Sequence, residues 1–296
     1  MLDSSAHAPF SSREAEAVEA RYRPRFARAF GRGAHAINRL WFRFSLRGTE
    51  HIPERPCLFV GNHSGIGIAD VLCLVGGWMT LTNGSRRCVG MMHKMFIEAP
   101  IVGHIASAFG AVPAKKENAL SALRRGHDVV SFPGGDLDAC RPFHEGRRVI
   151  FGDRRGYIRL ALETGVPIVP VATIGSHHTY TLLPGGTTIA RVTRMKKWAR
   201  CERFPLVLGT LFALCVLGLA IARVAPWWFA PLAAVLALVP NPARVTSSFL
   251  PAIDVTKETA HIVDETERVE AAHALVHGAL SRAVATMEHG STRDPA

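Results

Sequence analysis

The stretch "CLFVGNHSGIGIADVLCLVGGWM", residues 57–79, decides how the chain is read. Cys57–Val60 is a short apolar run, as a strand buried on both faces requires. A glycine-rich loop with His63 follows, and "ADVLCLVGGWM" then reads as a helix. The same alternation continues downstream. "RCVGMMHK" is a strand candidate, and "APIVGHIASAFGAVPA" a helix and a short strand. "ENALSALRRG" is a helix with a stop at Gly126, and "DVVSFPGG" a strand ending at Pro133. "GYIRLALETG" is a helix stopped by Gly165, "VPIVPVATIG" a strand, and "ARVTSSFLPAIDV" a final strand. "TERVEAAHALVHGALSRAVATMEHG" is a terminal amphipathic helix. Strands alternating with helices predict an α/β sheet. Ligand chemistry then belongs at the carboxyl ends of the strands, where His63 and the "FPGG" loop both fall.

The chain has 296 residues, enough for a sizeable core. Its 35 Lys and Arg against 24 acidic residues give a formal charge of +11, which suits a polyanionic partner: nucleic acid, an anionic membrane or a phosphate-rich co-substrate. No Cys pair shows metal-ligand spacing, so the six cysteines read as reduced thiols. Residues 1–20 lack the basic-then-apolar pattern of a secretory leader.

Two regions choose among those partners. Residues 21–48 interleave eight arginines with Phe26, Phe30, Ile37, Leu40, Trp41 and other apolar side chains. Such a basic helix suits a membrane surface or nucleic acid, or packs on the domain with a solvated basic face. The second region, 204–240, is apolar, and from Phe204 to Ala222 no residue carries a charge. That is close to bilayer length. Arg223, Pro226, Trp227 and Trp228 interrupt it before a second apolar run. The expectation is a membrane hairpin, spanning or re-entrant, whose basic flank "RVTRMKKWAR" keeps both ends cytoplasmic. A pair of buried core helices is the competing reading. No nucleic-acid-binding motif is visible, so nucleic acid is not an expected partner.

A histidine is the usual general base near neutral pH, and a carboxylate on its other ring nitrogen orients it. Asp70 is the only carboxylate near His63 in sequence. Ser64 stands one place late for a G-x-S-x-G elbow, so no serine nucleophile is evident. The alternative is that His63 caps a loop and Asp70 merely opens a helix. Neighbouring His177 and His178, on a strand, would point to opposite faces, so no metal site is expected.

With these segments in order, the chain resembles the lysophospholipid and glycerolipid acyltransferase superfamily over roughly residues 50–180. Asn62 and His63 match part of its Asn-His-x4-Asp block. Lys94, Pro100, Gly103, Gly110, Lys115 and Lys116 fit the second block. Pro133, Gly134 and Gly135 match the Pro-Gly-Gly form of the third, found in the diacylglycerol acyltransferase branch, and "VPIVPV" matches the fourth. The resemblance implies one α/β acyltransferase core with a central mixed sheet, over 49–203. A basic N-terminal segment (1–48), the hairpin (204–240) and a final strand and helix (241–296) complete the chain. It implies acyl transfer from acyl-CoA or acyl carrier protein, as co-substrate rather than resident cofactor, to a lipid alcohol. His63 would be the base and Asp70 its partner. The substrate-binding set is Asn62, Ser64, Gly65, Lys94, Lys115, Lys116, Pro133, Gly134, Gly135 and Arg141. The four basic residues would meet phosphates or headgroups, or are ordinary solvated charges, and the Pro-Gly-Gly turn would offer backbone amides.

One departure matters. Six residues, not four, separate His63 from Asp70, and Ile68 stands where the superfamily has aspartate. Asp70 reaches the imidazole only if the Gly65–Gly67 segment bulges. Otherwise a thioesterase, or an inactive lipid-binding protein, fits the sequence as well.

Overall fold

A computed structural model of the chain describes residues 21–224 and 226–291. Along it run helix α1 (Pro24–Trp41), strands β1 (Ser45–Arg47) and β2 (Leu58–Gly61), α2 (Ile68–Thr82) and β3 (Cys88–Met92). Next come α3 (Lys94–Glu98), α4 (Pro100–Ala108), β4 (Ala111–Pro113), α5 (Lys116–Arg124), β5 (Asp128–Ser131), α6 (Gly135–Ala139) and α7 (Gly156–Thr164). The remainder is β6 (Ile168–Ile174), α8 (Gly186–Val192), α9 (Met195–Trp198), α10 (Leu208–Ile221), α11 (Phe229–Leu238), β7 (Thr246–Phe249), α12 (Val255–Glu258) and α13 (Glu265–Ser291).

The strands form one mixed sheet in the order β1-β7-β6-β2-β5-β3-β4. The five from β6 to β4 are parallel, while β7 pairs antiparallel with β6. Both faces are covered, which is why the central strands are apolar throughout. Leu58, Val60, Val129, Ile168 and Ala172 join one core with α5, α7 and α13. α13 supplies Val269, Ala272, Val276, Leu280 and Val284, at helical spacing. Phe59, Val169 and Val171 face the other way, onto Leu74 and Trp78 of α2. The parallel strands bring their carboxyl ends to one edge, with β2 between β5 and β6. His63 therefore sits mid-edge.

α1 packs on α2 through small residues. Any side chain at Gly31 would strike Met79, and one at Gly76 would crowd His35 and Asn38. Its C-terminal half leaves Ile37 and Leu40 exposed, and Trp41 Nε1 donates to the Pro240 carbonyl at 2.8 Å. The basic helix thus ends beside the apolar hairpin. Residues 1–20, including the stretch read for a leader, lie outside the described residues.

The hairpin forms, but shorter than the sequence predicts. α10 has 14 residues and α11 has 10. At 1.5 Å per residue α10 is about 21 Å long, against roughly 30 Å for the hydrocarbon core of a bilayer. The lost length is held by the domain: Leu183 N–H donates to Leu206 O at 2.8 Å, and Leu208 N–H to Thr181 O at 2.9 Å. Pro205 cannot donate to a helix in any case. α10 has no buried residue, and α11 buries Ala233. The one described helical segment long and apolar enough to cross a membrane is Gly65–Thr82. Half of it is buried, and it is the core helix that carries Asp70.

Candidate active site

His63 and Asp70 meet. Nδ1 of the imidazole lies 2.9 Å from Asp70 Oδ2. That oxygen also accepts the Ser64 N–H at 2.9 Å, and Oδ1 accepts the Val71 N–H at 2.8 Å. Asp70 is 1 % exposed. An ionised carboxylate only accepts, so Nδ1 carries the proton and Nε2 is left as the acceptor. Burial disfavours the imidazolium, but the charge and hydrogen bond of Asp70, with the charge of Asp138, outweigh it and hold the His63 pKa above its ordinary value.

The two extra residues fold as the expected bulge. Gly65–Gly67 form one 3-10 turn, and α2 starts at once. Gly65 (φ +57°) lies so close to the carbonyl of Ser176 and the hydroxyl of Thr179 that any side chain would collide. Gly67 (φ +76°) is crowded too: a Cβ there would sit 2.3 Å from His63 Nε2. The ring is stacked on Phe132 from the other side, with centroids 4.4 Å apart. Gly67 thus keeps clear the space beside the basic nitrogen. Gly67→Ala is expected to displace the ring and to lower turnover roughly 10²-fold, the order expected for a misplacement near 1 Å. Kinetics on folded variant check it; an unchanged kcat would mean the space beside Nε2 is not used.

Beneath the histidine lies a second carboxylate that sequence reading missed. Asp138 Oδ2 accepts the His63 backbone N–H at 2.6 Å, while Oδ1 accepts the Ile150 N–H at 2.9 Å. Oδ1 also pairs with Arg141 at 2.5 Å. Burial pushes the Asp138 carboxyl up, and the Arg141 charge with the His63 and Ile150 amides opposes that. Arg141, expected to meet phosphate or headgroups, is itself 2 % exposed. Its guanidinium donates to Asp138, to the carbonyl of Gly146 at 2.8 Å and to the carbonyl of His63. It braces the His63 backbone from below. The one available signal was an Asp and an Arg three apart, one helical turn after Pro-Gly-Gly.

Other expected residues also make hydrogen bonds within the protein. The Asn62 amide donates to Thr173 O and accepts the Thr173 N–H, both at 2.8 Å, so it is spent joining β2 to β6. Ser64 Oγ bonds Ser176 Oγ, and the side chain is buried. At the Pro133-Gly134-Gly135 turn, Arg154 takes the Gly134 carbonyl at 2.8 Å and the Pro133 carbonyl at 3.2 Å. Gly134 lies against Asp138 and the Ile150 carbonyl, where a side chain could not fit. The turn therefore seats Asp138 under His63. Lys94 and Lys115 follow β3 and β4 on the same edge of the sheet as His63. Lys94 pairs loosely with Glu98 at 3.5 Å, and Lys116 is held by Glu163 at 2.6 Å.

His177 and His178 are not on a strand. They occupy the 3-10 turn Ser176–His178 after β6, with ring centroids 4.0 Å apart rather than on opposite faces. Burial, then the charges of His178, Arg141 and Arg147, push the His177 pKa down to about 3. Among the described residues no three His, Cys, Asp or Glu side chains gather as a metal site would require.

Residues 43–174 match the family model described as Acyltransferase. An uncharacterized protein of Mycobacterium tuberculosis is 29% identical over 167 residues, 56% of this chain and 47% of that protein. The "DGAT1/2-independent enzyme synthesizing storage lipids" of Gallus gallus is 30% identical over 135 residues, 46% of this chain and 40% of the relative. The chain thus spans less than half the length of these relatives. Among solved structures, the 1-acyl-sn-glycerophosphate (LPA) acyltransferase PlsC from Thermotoga maritima superposes with a TM-score of 0.51. It covers 95% of this chain and 84% of its own at 17% identity, a likeness of fold.

Proposed function

We propose, from the match of residues 43–174 to the Acyltransferase model and the fold it shares with PlsC, that the chain moves an acyl group from an acyl thioester to a lipid hydroxyl at a membrane surface. The observation that carries this is the His63–Asp70 pair at 2.9 Å, with Nε2 facing the space Gly67 leaves open. Among the described residues no serine, threonine or cysteine side chain is bonded to His63, which favours one-step transfer over an acyl-enzyme. In that step Nε2 takes the proton of the acceptor hydroxyl as its oxygen attacks the thioester carbonyl. The new C–O bond forms, the C–S bond breaks, and the proton passes to the departing thiolate. Asp70 stabilises the imidazolium that exists between the two transfers.

The donor is acyl-CoA or acyl carrier protein. The acceptor is a neutral lipid alcohol: Gly134 stands where the phosphatidate-forming branch of the superfamily has a glutamate, and Arg141 is committed inside the protein. Lys94 and Lys115 remain at the site edge for donor phosphates.

The hairpin lies in the lipid–water boundary. α10 is too short to span, an arginine at the tip is costly at the bilayer centre, and Trp227 and Trp228 suit the headgroup level. The basic run from Arg191 to Arg203 faces the anionic cytoplasmic leaflet in this reading. Trp227→Ser with Trp228→Ser should weaken binding to anionic vesicles about tenfold or more, since 1.4 kcal/mol of lost apolar burial suffices. Co-sedimentation checks it; unaltered binding would remove the hairpin from the docking surface.

Purified protein incubated with acyl-CoA, with and without a long-chain alcohol or diacylglycerol, tests the activity. Ester formation supports transfer. Free acid released equally fast with or without the alcohol would make it a thioesterase.

A further inference from the structure

We propose that the cavity at the root of the hairpin is the seat of one substrate's unbranched alkyl chain, leading from the lipid boundary to the His63 loop. The proposal rests on the acyl-transfer reading above. The cavity measures about 400 Å³, within the range of small-molecule sites. Its apolar wall is Val207, Leu208, Gly209 and Phe212 at the start of α10, with Ala237 and Val239 at the end of α11. Thr179, Tyr180 and Thr181 close it on the domain side.

Four polar groups of this wall are already occupied. Asn241 N–H donates to Thr179 O at 2.8 Å, and Leu208 N–H to Thr181 O at 2.9 Å. Tyr180 Oη donates to Leu238 O at 2.7 Å, and the Thr179 hydroxyl to Ser176 O at 2.6 Å. A cavity whose lining hydrogen bonds are made internally offers a ligand dispersion and desolvation rather than polar recognition. An alkyl chain has that chemistry.

Its position gives it a role. At the outer end Phe212 is 59% exposed, on the helix assigned to the lipid boundary. At the inner end Tyr180 and Val207 form a buried cluster against which Ile66 packs. Ile66 lies within the extended His63–Asp70 loop, half-buried, at a left-handed φ of 54° unusual for a β-branched side chain. Its neighbour Gly67 touches the His63 ring. The longer loop therefore does more than bring Asp70 home. It packs one side chain of the His63 loop against the hairpin root.

The test uses Leu208→Trp, which fills the cavity and leaves the Gly209–Ala237 helix crossing intact. Acyl-CoA donors of eight to eighteen carbons are compared at fixed acceptor, and acceptors of varied chain length at fixed donor. Each buried methylene is worth about fourfold in affinity, so displacing three or four should cost the longest chains roughly a hundredfold in kcat/KM and spare the shortest. A loss confined to the donor series assigns the seat to the donor chain, and one confined to the acceptor series assigns it to the acceptor. Profiles parallel to wild type in both series would overturn the proposal. A fatty acid carrying a terminal diazirine, cross-linked to the unaltered protein on vesicles, reads the site without catalysis. Adducts on residues 207–212 or 237–239 support the seat even if no acyl transfer is found, and adducts confined elsewhere overturn it even if transfer is fast.

Discussion

His63→Ala should abolish acyl transfer, lowering kcat/KM by roughly 10²–10⁴-fold, the usual worth of a positioned general base. The variant should still fold, since the ring lies at the carboxyl edge of the sheet, packed on Phe132 and Gly67 rather than within either core. Asp70→Asn separates positioning from base strength. In the proposed mechanism the neutral imidazole is the active form, so activity should rise with pH through a His63 pKa held above 6.5. The Asp70 charge and hydrogen bond raise that pKa; without them burial, which lowers it, dominates. The acid limb of kcat/KM should therefore move to lower pH in Asp70→Asn, while the plateau falls by up to about 10⁴ because the imidazolium loses its partner. Stability follows the opposite sign. The protonated pair contributes fully below pH 6.5, and its contribution is lost as pH rises through the raised folded pKa. Full transfer by Asp70→Asn, with His63→Ala inactive, would remove Asp70 from the mechanism.

Arg141→Met should be the most destabilising single change near the site. It leaves Asp138, 0% exposed, as a buried carboxylate without its cation. Breaking such a pair costs about 3–5 kcal/mol. With an unfolding entropy near 2.1 cal/mol/K per residue, that lowers Tm by roughly 5–8 °C. It also removes the donor to the His63 carbonyl, so turnover should fall in protein that remains folded. The double variant Arg141→Met with Asp138→Asn should recover part of the lost stability: the orphaned charge is gone, but the Asn amide can accept only one of the two backbone N–H groups that Asp138 serves. Thermal melts of the single and double variants decide this. A Tm within 1–2 °C of wild type for Arg141→Met would mean that water reaches the pair and that it does not brace the base.

Much of this architecture is legible in local pattern. Cys57–Val60 and Ile168–Ile174 are apolar at consecutive positions because both faces of the sheet are covered. Gly126 and Gly165 end α5 and α7 with positive φ, as their places in the sequence require. The place of His63 at the carboxyl edge of the sheet, two residues beyond the end of a central strand, is legible on the same grounds. What was not legible depends on groups far apart along the chain. Asp138 is 75 positions from the amide it supports. Arg141 looks like a surface cation in sequence, since nothing local shows that the sheet edge closes over it. α10 is shorter than its uncharged run because Thr181 and Leu183, on a different segment, hold its first residues.

The His63–Asp70 interval shows the division most clearly. The sequence by itself determined that a histidine and a carboxylate flank a loop permissive enough to bulge. Only the tertiary structure decided that they meet. Ser176 and Thr179, delivered by β6, press on Gly65, and Phe132, delivered by β5, holds the ring. Periodicity and glycine placement act through the backbone of one segment. The reach of a side chain across a turn is set by the neighbouring strands, which no single segment encodes.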